Sequence, residues 1–245
     1  MPNTKELQPD KLSAIVIGDP KSGKTRFAGT WPNPFLFSFD RGMSSLAGQD
    51  IEYEVYYDEE RRKPNAYQRF DKDFKQLIFD IKAGKKHFRT IILDNLTFLC
   101  RWVINDIRHT NNLYDKPLGY EGYGSLKSKL QDVIGLSKLA GIHVVATAES
   151  KLEKDELTGE LETWPAIEGS YREDIVADFD MAFFMKVGKD LATKKPKFQL
   201  QTVPDHRIKC AGSRWDCGLE PLEEPNYKAI MEKIKTRFPS VTIVE

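Results

Sequence analysis

Hydrophobic runs alternate along the chain with segments of helical periodicity. Continuous apolar stretches such as 14–17 and 90–93 are typical of strands that are buried on both faces of a sheet. Strands and helices that take turns in this way predict an α/β fold with a mostly parallel central sheet flanked by helices. The predicted strands are 12–17, 34–39, 51–57, 90–93, 142–147, 181–187 and 198–203.

Three segments have the spacing of amphipathic helices. In the first, 67–83, apolar residues recur at helical spacing, and Gly84 supplies the stop. Two further helices are predicted at 126–139 and 227–238.

Three other segments, 111–124, 151–169 and 189–197, fit neither pattern and are predicted to be functional or mobile loops. The second contains a small hairpin insertion that turns at Thr158-Gly159. The third is rich in lysine.

Length and charge limit what the chain can be. It has 245 residues, with 37 Lys or Arg and 37 Asp or Glu, so its formal net charge is +0 and one sizeable domain is expected. Because no bulk basic field draws the chain to nucleic acid or anionic lipid, any such contact must come from local patches. The predicted organisation is an N-terminal tail at 1–11, a core at 12–219, and a C-terminal helix and tail at 220–245 that pack on the core.

The sequence carries no signal for a membrane or for secretion. No apolar run reaches the roughly 18 residues that span a bilayer, and the first residues lack the apolar core of a secretory signal. Three cysteines, Cys100, Cys210 and Cys217, are an odd and sparse set that argues against a disulfide framework. We therefore expect a soluble protein of the cytoplasm with no membrane partner.

The strongest chemical signal is a complete phosphate-binding motif directly after the first predicted strand. Glycines at both ends of such a loop let backbone N–H groups turn toward phosphate oxygens, and the following helix directs its N-terminus at the anion. The lysine of the motif contacts the β- and γ-phosphates, and the threonine hydroxyl joins the Mg²⁺ shell. The predicted site for ATP and Mg²⁺ consists of Gly18, Asp19, Pro20, Lys21, Ser22, Gly23, Lys24 and Thr25.

A carboxylate that holds Mg²⁺ is expected at the end of a neighbouring strand. Asp94 ends the apolar run 90–93 and is the candidate metal ligand; the alternative is that it caps the next helix. Thr25 and Asp94 together are therefore the predicted metal ligands.

The general base must come from elsewhere, because Asn95 stands where many hydrolases place a glutamate. Asp40, which follows the predicted strand 34–39, is the candidate, with a structural or capping role as the alternative. Thr147 and Glu149 come at the end of another strand. Either these residues sense the γ-phosphate, or they are simply the polar residues at which the strand ends.

The order of these motifs resembles a known family. The phosphate loop, a strand ending in a carboxylate (FSFDRG), a helix, a strand ending in Asp94 (TIILDN) and a polar-ended strand (VVATAE) are similar to the RecA-like core ATPases. The chain resembles in particular the compact phage ATPases of the Sak type, which are RecA-core proteins associated with single-strand DNA annealing and recombination.

This resemblance implies a RecA-like P-loop fold over roughly 12–219 and an enzyme that hydrolyses ATP. Lys24, Thr25 and Asp94 match the nucleotide and magnesium positions of the family, and Asp40 lies where its glutamate or aspartate prepares water. The resemblance also implies a homo-oligomer, single-stranded DNA as a ligand and a phage or host DNA-binding or recombination protein as a partner. A phage origin would place the protein in the bacterial host cytoplasm.

The late part of the core offers cations. Arg207, Lys209 and Arg214 resemble the basic turn from which RecA-like proteins offer a cation to a neighbouring subunit's nucleotide, and Arg214 is the candidate catalytic arginine. A solvated basic turn is the alternative. His206, Cys210 and Cys217 form only a weak zinc signal, because they lack a paired CxxC spacing.

Two of the predicted loops, 111–124 and 151–169, lie where the resemblance places DNA contacts. Aromatic residues there could stack on bases, and lysines could meet phosphates, although the second loop is acidic and aromatic residues in loops also anchor them to the core. The aromatic candidates are Tyr114, Tyr120, Tyr123 and Trp164, and the basic candidates are Lys116, Lys127 and Lys151.

The leading hypothesis is therefore an ATPase, slow and stimulated by DNA, whose ATP state switches its grip on single-stranded DNA in recombination or annealing. Two alternatives remain open at this point. One is a P-loop kinase of a small molecule, with 189–197 as a basic lid. The other is a nucleotide-gated interaction module with little hydrolysis.

Overall fold

The computed structural model describes residues 11–60, 62–113, 116–156 and 158–238. Its strands form one sheet around which the helices pack. The strands are β1 (Ser13–Gly18), β2 (Pro34–Ser38), β3 (Glu52–Val55), β4 (Thr90–Asp94), β5 (His143–Lys154), β6 (Leu161–Pro165), β7 (Met181–Lys189), β8 (Pro196–Gln201), β9 (Gly212–Ser213) and β10 (Leu222–Glu223). The helices are α1 (Lys24–Ala28), α2 (Ala66–Lys82), α3 (Leu96–Thr110), α4 (Gly119–Leu139), α5 (Tyr171–Ala177) and α6 (Tyr227–Arg237), with a short 3-10 helix at Met43–Leu46.

The order of the strands places the phosphate-binding motif at the centre of the sheet. The strands follow one another across the sheet in the order β10-β8-β7-β1-β5-β4-β2-β3. In addition, β6 pairs with β5 and β9 pairs with β7. The strands from β7 to β3 on this path are parallel, whereas β8 and β10 add an antiparallel edge. The predicted fold class, α/β with a mostly parallel sheet flanked by helices and a small hairpin insertion, is confirmed.

Alternate side chains of the buried strands enter two hydrophobic clusters, one on each face of the sheet. Ile15 and Ile17 of β1 face the cluster that α2, α3, α4 and α5 cover. Ala14 and Val16 face the other cluster, which α1 and α6 cover. Because both faces are covered, the central strands are continuous apolar runs.

Helix α6 closes the second face through one aromatic group. Its Tyr227 hydroxyl lies 3.3 Å from His143 Nε2, and its ring is tilted against Trp31. Leu12 N–H donates to His143 Nδ1 at 3.0 Å. The start of β1 and α6 therefore meet at the same imidazole. The predicted boundaries at 1–11, 12–219 and 220–245 stay a prediction, and 1–10 and 239–245 lie outside the described residues.

The prediction of a loop over the whole of 111–124 is wrong, because α4 begins at Gly119. Leu118, Gly122, Leu126 and Leu130 recur every fourth residue and are buried. A Cβ at Gly122 would lie 2.8 Å from Leu118 Cδ2, so this glycine makes room for packing within the first turns. In the sequence, Gly119, Gly122 and Gly124 favour a loop, which is why the start of this helix was not predicted.

The other two predicted loops each contain the turn of a β-hairpin together with parts of its strands. Strand β5 continues to Lys154 and pairs with β6, so the hairpin predicted around Thr158-Gly159 is confirmed. The lysine-rich segment 189–197 is the turn and start of a second hairpin, formed by β7 and β8. None of the helices in the described ranges is long and apolar enough to cross a membrane.

Candidate functional site

The phosphate-binding motif forms a tight loop between β1 and α1. Gly23 has a φ of 96°, in the left-handed region that favours glycine. At Gly18 a Cβ would lie 3.1 Å from both the Cβ and the carbonyl oxygen of Met185, so a larger residue would displace the neighbouring strand. Both glycines of the motif are therefore required by the local geometry.

Lys24 lies inside this loop, with only 7% of its surface exposed. Its Nζ donates to the carbonyl oxygens of Gly18 at 2.9 Å and Asp19 at 2.8 Å. Burial lowers the pKa of Lys24, while Asp94, Glu149, Asp19 and Asp40 oppose that shift. The lysine is thus a buried cation facing several carboxylates.

Asp94 joins the phosphate loop to β5. Its Oδ2 accepts a 2.9 Å hydrogen bond from the Thr25 hydroxyl, and its Oδ1 accepts a hydrogen bond from the Thr147 hydroxyl. The helix-capping alternative does not hold, because the cap of α3 is Asn95, whose side chain accepts from Phe98 N–H at 3.0 Å. The two predicted metal ligands, Thr25 and Asp94, therefore lie in direct contact.

The protonation of Asp94 reflects its position. Burial raises its pKa to about 6; the hydrogen bond from Thr147 acts in the opposite direction, and nearby Asp40 adds to the increase. The two hydroxyl groups and nearby Lys24 offset the cost of burying ionised Asp94 only in part, and a bound cation would favour the ionised form further.

Asp40 lies just beyond β2, beside β4. Its Oδ2 accepts a 2.8 Å hydrogen bond from the Asn95 side-chain amide, and its Oδ1 accepts one of 2.7 Å from Gly42 N–H. The amide of Asn95 thus holds Asp40 while its oxygen caps α3. Ser38 and Asp94 are in register on β2 and β4. Asp40, two residues after Ser38, therefore lies at the same edge of the sheet as Asp94.

The carboxyl end of β5 completes this edge. Glu149 is in register with Gly18, and its N–H donates to the Thr97 hydroxyl at 3.0 Å. The next residue, Ser150, donates through its hydroxyl to Asp19 of the phosphate loop. Sequence reasoning missed Asn95, Thr97 and Ser150 as parts of the site. Asn95 and Ser150 are polar residues just beyond the buried part of a strand, which is the signal that would have indicated them, whereas Thr97 lies in the first turn of α3.

Arg214 does not share this edge within its own chain. Its N–H donates to the carbonyl oxygen of Asp180 at 2.9 Å, and its guanidinium donates to the carbonyl oxygen of Ala177. Asp180 in turn accepts from the Ser13 N–H at the start of β1, whereas the phosphate loop follows the end of β1. Arg214 lies beside the first residue of β1 and the phosphate loop follows its last. The two are therefore separated by the length of this six-residue strand, about 16 Å.

Arg207 lies at the other end of the sheet from Arg214. It lines a cleft of about 1010 Å³ together with Asp19, Lys21 and Ser22 of the phosphate loop. Cations that are close in sequence are thus divided between opposite edges of the sheet.

The zinc interpretation gains no support from the structure. Cys210 and Cys217 are buried in the two different hydrophobic clusters. Within the described ranges, no group of three or more His, Cys, Asp or Glu side chains is arranged to hold a metal ion.

The residues predicted to contact DNA are brought together only in part. Tyr123 lies against Gly169, where a Cβ would be 3.0 Å from its ring, so segments 111–124 and 151–169 do meet. Tyr120 is 95% exposed. However, Lys127 pairs with Asp174 at 2.6 Å and Lys151 with Glu153 at 2.9 Å. Tyr114 lies outside the described residues.

Comparison with known proteins identifies the family. A family model described as an AAA domain matches residues 10–214, which is most of the chain. The chain belongs to this AAA domain family. Among solved structures the AAA domain is similar to the KaiC-like protein PH0186 from Pyrococcus horikoshii OT3, with 10% identity and a TM-score of 0.43, over 77% of this chain and 76% of that one. No curated protein matches it.

The AAA domain is a P-loop ATPase core, and the predicted RecA-like P-loop fold class is confirmed. Families of this kind bind ATP with Mg²⁺, and the residues present fit both. The buried hydroxyl of Ser22 has no hydrogen-bond partner, which leaves a donor available for a phosphate oxygen. Thr25 and Asp94 supply the hard oxygen ligands that Mg²⁺ requires.

Proposed function

We propose that the protein hydrolyses ATP at the edge formed by the phosphate loop, Asp40 and Asp94, and that its ATP state controls its grip on single-stranded DNA in recombination or annealing. The observation that supports hydrolysis most directly is the 2.9 Å hydrogen bond from the Thr25 hydroxyl to Asp94 Oδ2, beside a phosphate loop whose carbonyl oxygens hold the buried Lys24. Such an arrangement suits the binding of a polyphosphate with its cation, followed by activation of water.

Each residue has a distinct role in this proposal. Lys24 exchanges its loop carbonyls for phosphate oxygens, and the N–H groups of Gly18–Thr25 bind the same anion. Thr25 and Asp94 hold Mg²⁺, and Thr147 orients Asp94 through its hydroxyl. ATP supplies the γ-phosphoryl group and Mg²⁺ neutralises its charge. Asp40, held by Asn95, accepts the proton of the attacking water.

The proposed role in DNA recombination or annealing is drawn from the resemblance to the Sak-type phage ATPases. We propose that DNA accelerates a slow basal turnover, and that recombination or DNA-binding proteins of a phage or its host are partners. A homo-oligomer belongs to the same proposal. Arg214 lies at the edge opposite its own phosphate loop, so it could reach a nucleotide only in a neighbouring copy.

The test is ATP turnover with and without single-stranded DNA, for the natural protein and for Lys24→Ala. Loss of the buried cation should weaken ATP binding about 10- to 150-fold, equivalent to roughly 1.5–3 kcal/mol, and abolish turnover. Lys72→Ala is the control, because Lys72 is an exposed lysine on α2 that forms no part of the predicted site.

Unchanged ATP affinity and turnover in folded Lys24→Ala would contradict the assignment of the site. Turnover that DNA does not alter would contradict the DNA role alone. Transfer of phosphate to a metabolite instead of water would identify a kinase, and ATP binding without turnover would identify a nucleotide-gated interaction module.

A further inference from the structure

The strongest charged feature outside the proposed ATP site is the hairpin formed by β7 and β8, here called the lysine hairpin (186–197). It contains five lysines, Lys186, Lys189, Lys194, Lys195 and Lys197, and one acidic residue, Asp190. In a chain whose formal net charge is +0, this is a concentrated excess of positive charge.

The turn of the lysine hairpin is well built. Asp190 N–H donates to the carbonyl oxygen of Lys195 at 2.9 Å, and its carboxylate accepts from Thr193 N–H at 2.7 Å and from the Thr193 hydroxyl. These hydrogen bonds lower the pKa of Asp190 and occupy its carboxylate within the turn. The acidic residue therefore shapes the turn, and the lysines around it remain available.

Four of the five lysines are exposed, namely Lys189, Lys194, Lys195 and Lys197. Within the described residues none of these four forms an ion pair, whereas Lys186 pairs with Asp205 at 3.4 Å. Unpaired exposed lysines at this density repel each other, so a polyanion is the ligand whose binding would relieve the repulsion.

Apolar side chains lie among these charges. Leu191 at the turn is 85% exposed, and Phe198 at the start of the return strand is 37% exposed. An exposed aromatic ring beside lysines is the combination that binds single-stranded nucleic acid, because a base stacks on the ring while its phosphates meet the cations.

The lysine hairpin is also connected to the ATP site. The ring of Phe198 lies against the phosphate loop, since a Cβ at Gly23 would be only 3.4 Å from Phe198 Cδ1. Val187 is paired with Phe198 across the hairpin. A change in the phosphate loop on ATP binding would therefore act directly on the base of the hairpin.

The neighbouring hairpin of β5 and β6 has the opposite charge. Residues 151–162 contain five acidic and two basic residues. Of the three lysines predicted to bind DNA, Lys127 and Lys151 are held in ion pairs, whereas Lys116 is exposed. The charges on this side of the phosphate loop thus oppose a phosphodiester backbone, while those on the lysine hairpin attract it.

We propose that the lysine hairpin is the surface on which the protein binds the backbone of single-stranded nucleic acid, with Phe198 coupling that surface to the phosphate loop. This inference rests on the proposed DNA role and names its site.

The test compares two full-length variants in a titration with labelled oligothymidylate, with ATP and Mg²⁺ present, over a range of salt concentrations. The hairpin variant combines Lys189→Gln, Lys194→Gln, Lys195→Gln and Lys197→Gln. The control variant combines Lys72→Gln, Lys75→Gln, Lys82→Gln and Lys85→Gln, which alter exposed lysines on or just after α2.

The hairpin variant should bind at least about tenfold more weakly at low salt, and the slope of log affinity against log salt should fall by up to about 3, since each lost phosphate contact with a single strand removes roughly 0.7. The control variant should keep the natural affinity and slope. Arginine at the same four hairpin positions should also keep them, which separates loss of charge from loss of folding.

Natural affinity and slope in the hairpin variant would overturn this inference and leave the proposed ATPase and DNA roles intact. An equal loss in the control variant would also overturn it, because binding would then depend on total charge. If the hairpin variant loses self-association but keeps its DNA affinity, the lysine hairpin binds the acidic hairpin of a second copy, and the inference is overturned. If it loses only basal ATP turnover, the lysine hairpin binds the nucleotide, and the inference is overturned as well. If the natural protein ignores the oligonucleotide at low salt, both this inference and the DNA role fail, while Lys24→Ala still tests the ATPase.

Discussion

The side-chain amide of Asn95 donates a 2.8 Å hydrogen bond to Asp40 Oδ2, although the two residues are 55 positions apart. The oxygen of the same amide accepts from Phe98 N–H and so caps α3. One side chain therefore fixes both the start of a helix and the orientation of the proposed general base. Asn95 stands where many hydrolases place a glutamate, and in this site it supports a carboxylate that comes from another strand.

Asp40→Asn should retain ATP binding but lower turnover about 100-fold or more, because general-base assistance of that size is lost. ATP affinity by equilibrium titration and turnover by phosphate release measure the two effects separately. Turnover equal to that of the natural protein would transfer the role of base to Glu149 or another group.

Asn95→Ser should lower kcat by about tenfold with little change in KM, since one hydrogen bond to a charged group is lost. Serine keeps a capping oxygen for α3, so the variant separates orientation of Asp40 from stability of the helix. In an Asp40→Asn background the same change should have no further effect on kcat. Additive losses in the double variant would show that Asn95 acts independently of Asp40.

Binding of ATP with Mg²⁺ should weaken as the pH falls below about 6, the pKa to which burial raises the carboxyl group of Asp94. Protonated Asp94 cannot hold the cation, so affinity should fall by up to about tenfold per pH unit in this range. Because ATP itself takes up a proton near this pH, the informative quantity is the ratio of affinities between the natural protein and Asp94→Asn. A ratio that is constant from pH 5 to pH 8 would contradict a role for Asp94 in metal binding.

Asp94→Asn should stabilise the ligand-free protein at pH 8. The folded state raises the pKa of Asp94 from 3.8 to about 6, so this group favours folding when protonated and loses that contribution as the pH rises through about 6. Removal of the buried charge should therefore raise the free energy of unfolding by on the order of 1–3 kcal/mol at pH 8, and the gain should shrink toward pH 4. Urea denaturation at the two pH values measures it, and a less stable variant at pH 8 would contradict the argument.

A role of Arg214 in a neighbouring subunit can be tested by mixing two inactive proteins. Arg214→Ala mixed with Lys24→Ala should recover part of the ATP turnover, because some junctions would pair an intact Lys24 with an intact Arg214. Each variant alone supplies the control. A monomeric protein of full activity would exclude the role, and so would Arg214→Ala with natural turnover.

Local patterns in the sequence were sufficient for a large part of this protein. The phosphate loop and Asp94 could be predicted because each is a short motif at the end of a continuous apolar strand, and the backbone geometry there depends on adjacent residues. The strands of the parallel sheet were predicted to within a few residues for the same reason, apart from the long extension of β5. Helix α3 was missed although its buried apolar residues recur at helical spacing, at positions 96, 99, 100, 103, 104 and 107. Only the structure shows that it packs against α2, α4 and the sheet.

Only the tertiary structure decided which distant residues meet. The order of β2, β4, β5 and β1 in the sheet brings Asp40 to Asn95, Asp94 to Thr147 and Asp19 to Ser150, and no local pattern specifies that order. The direction of the strands also separates Arg207 from Arg214, which are close in sequence. They lie at opposite edges because one is beside the carboxyl end of β1 and the other is beside its start.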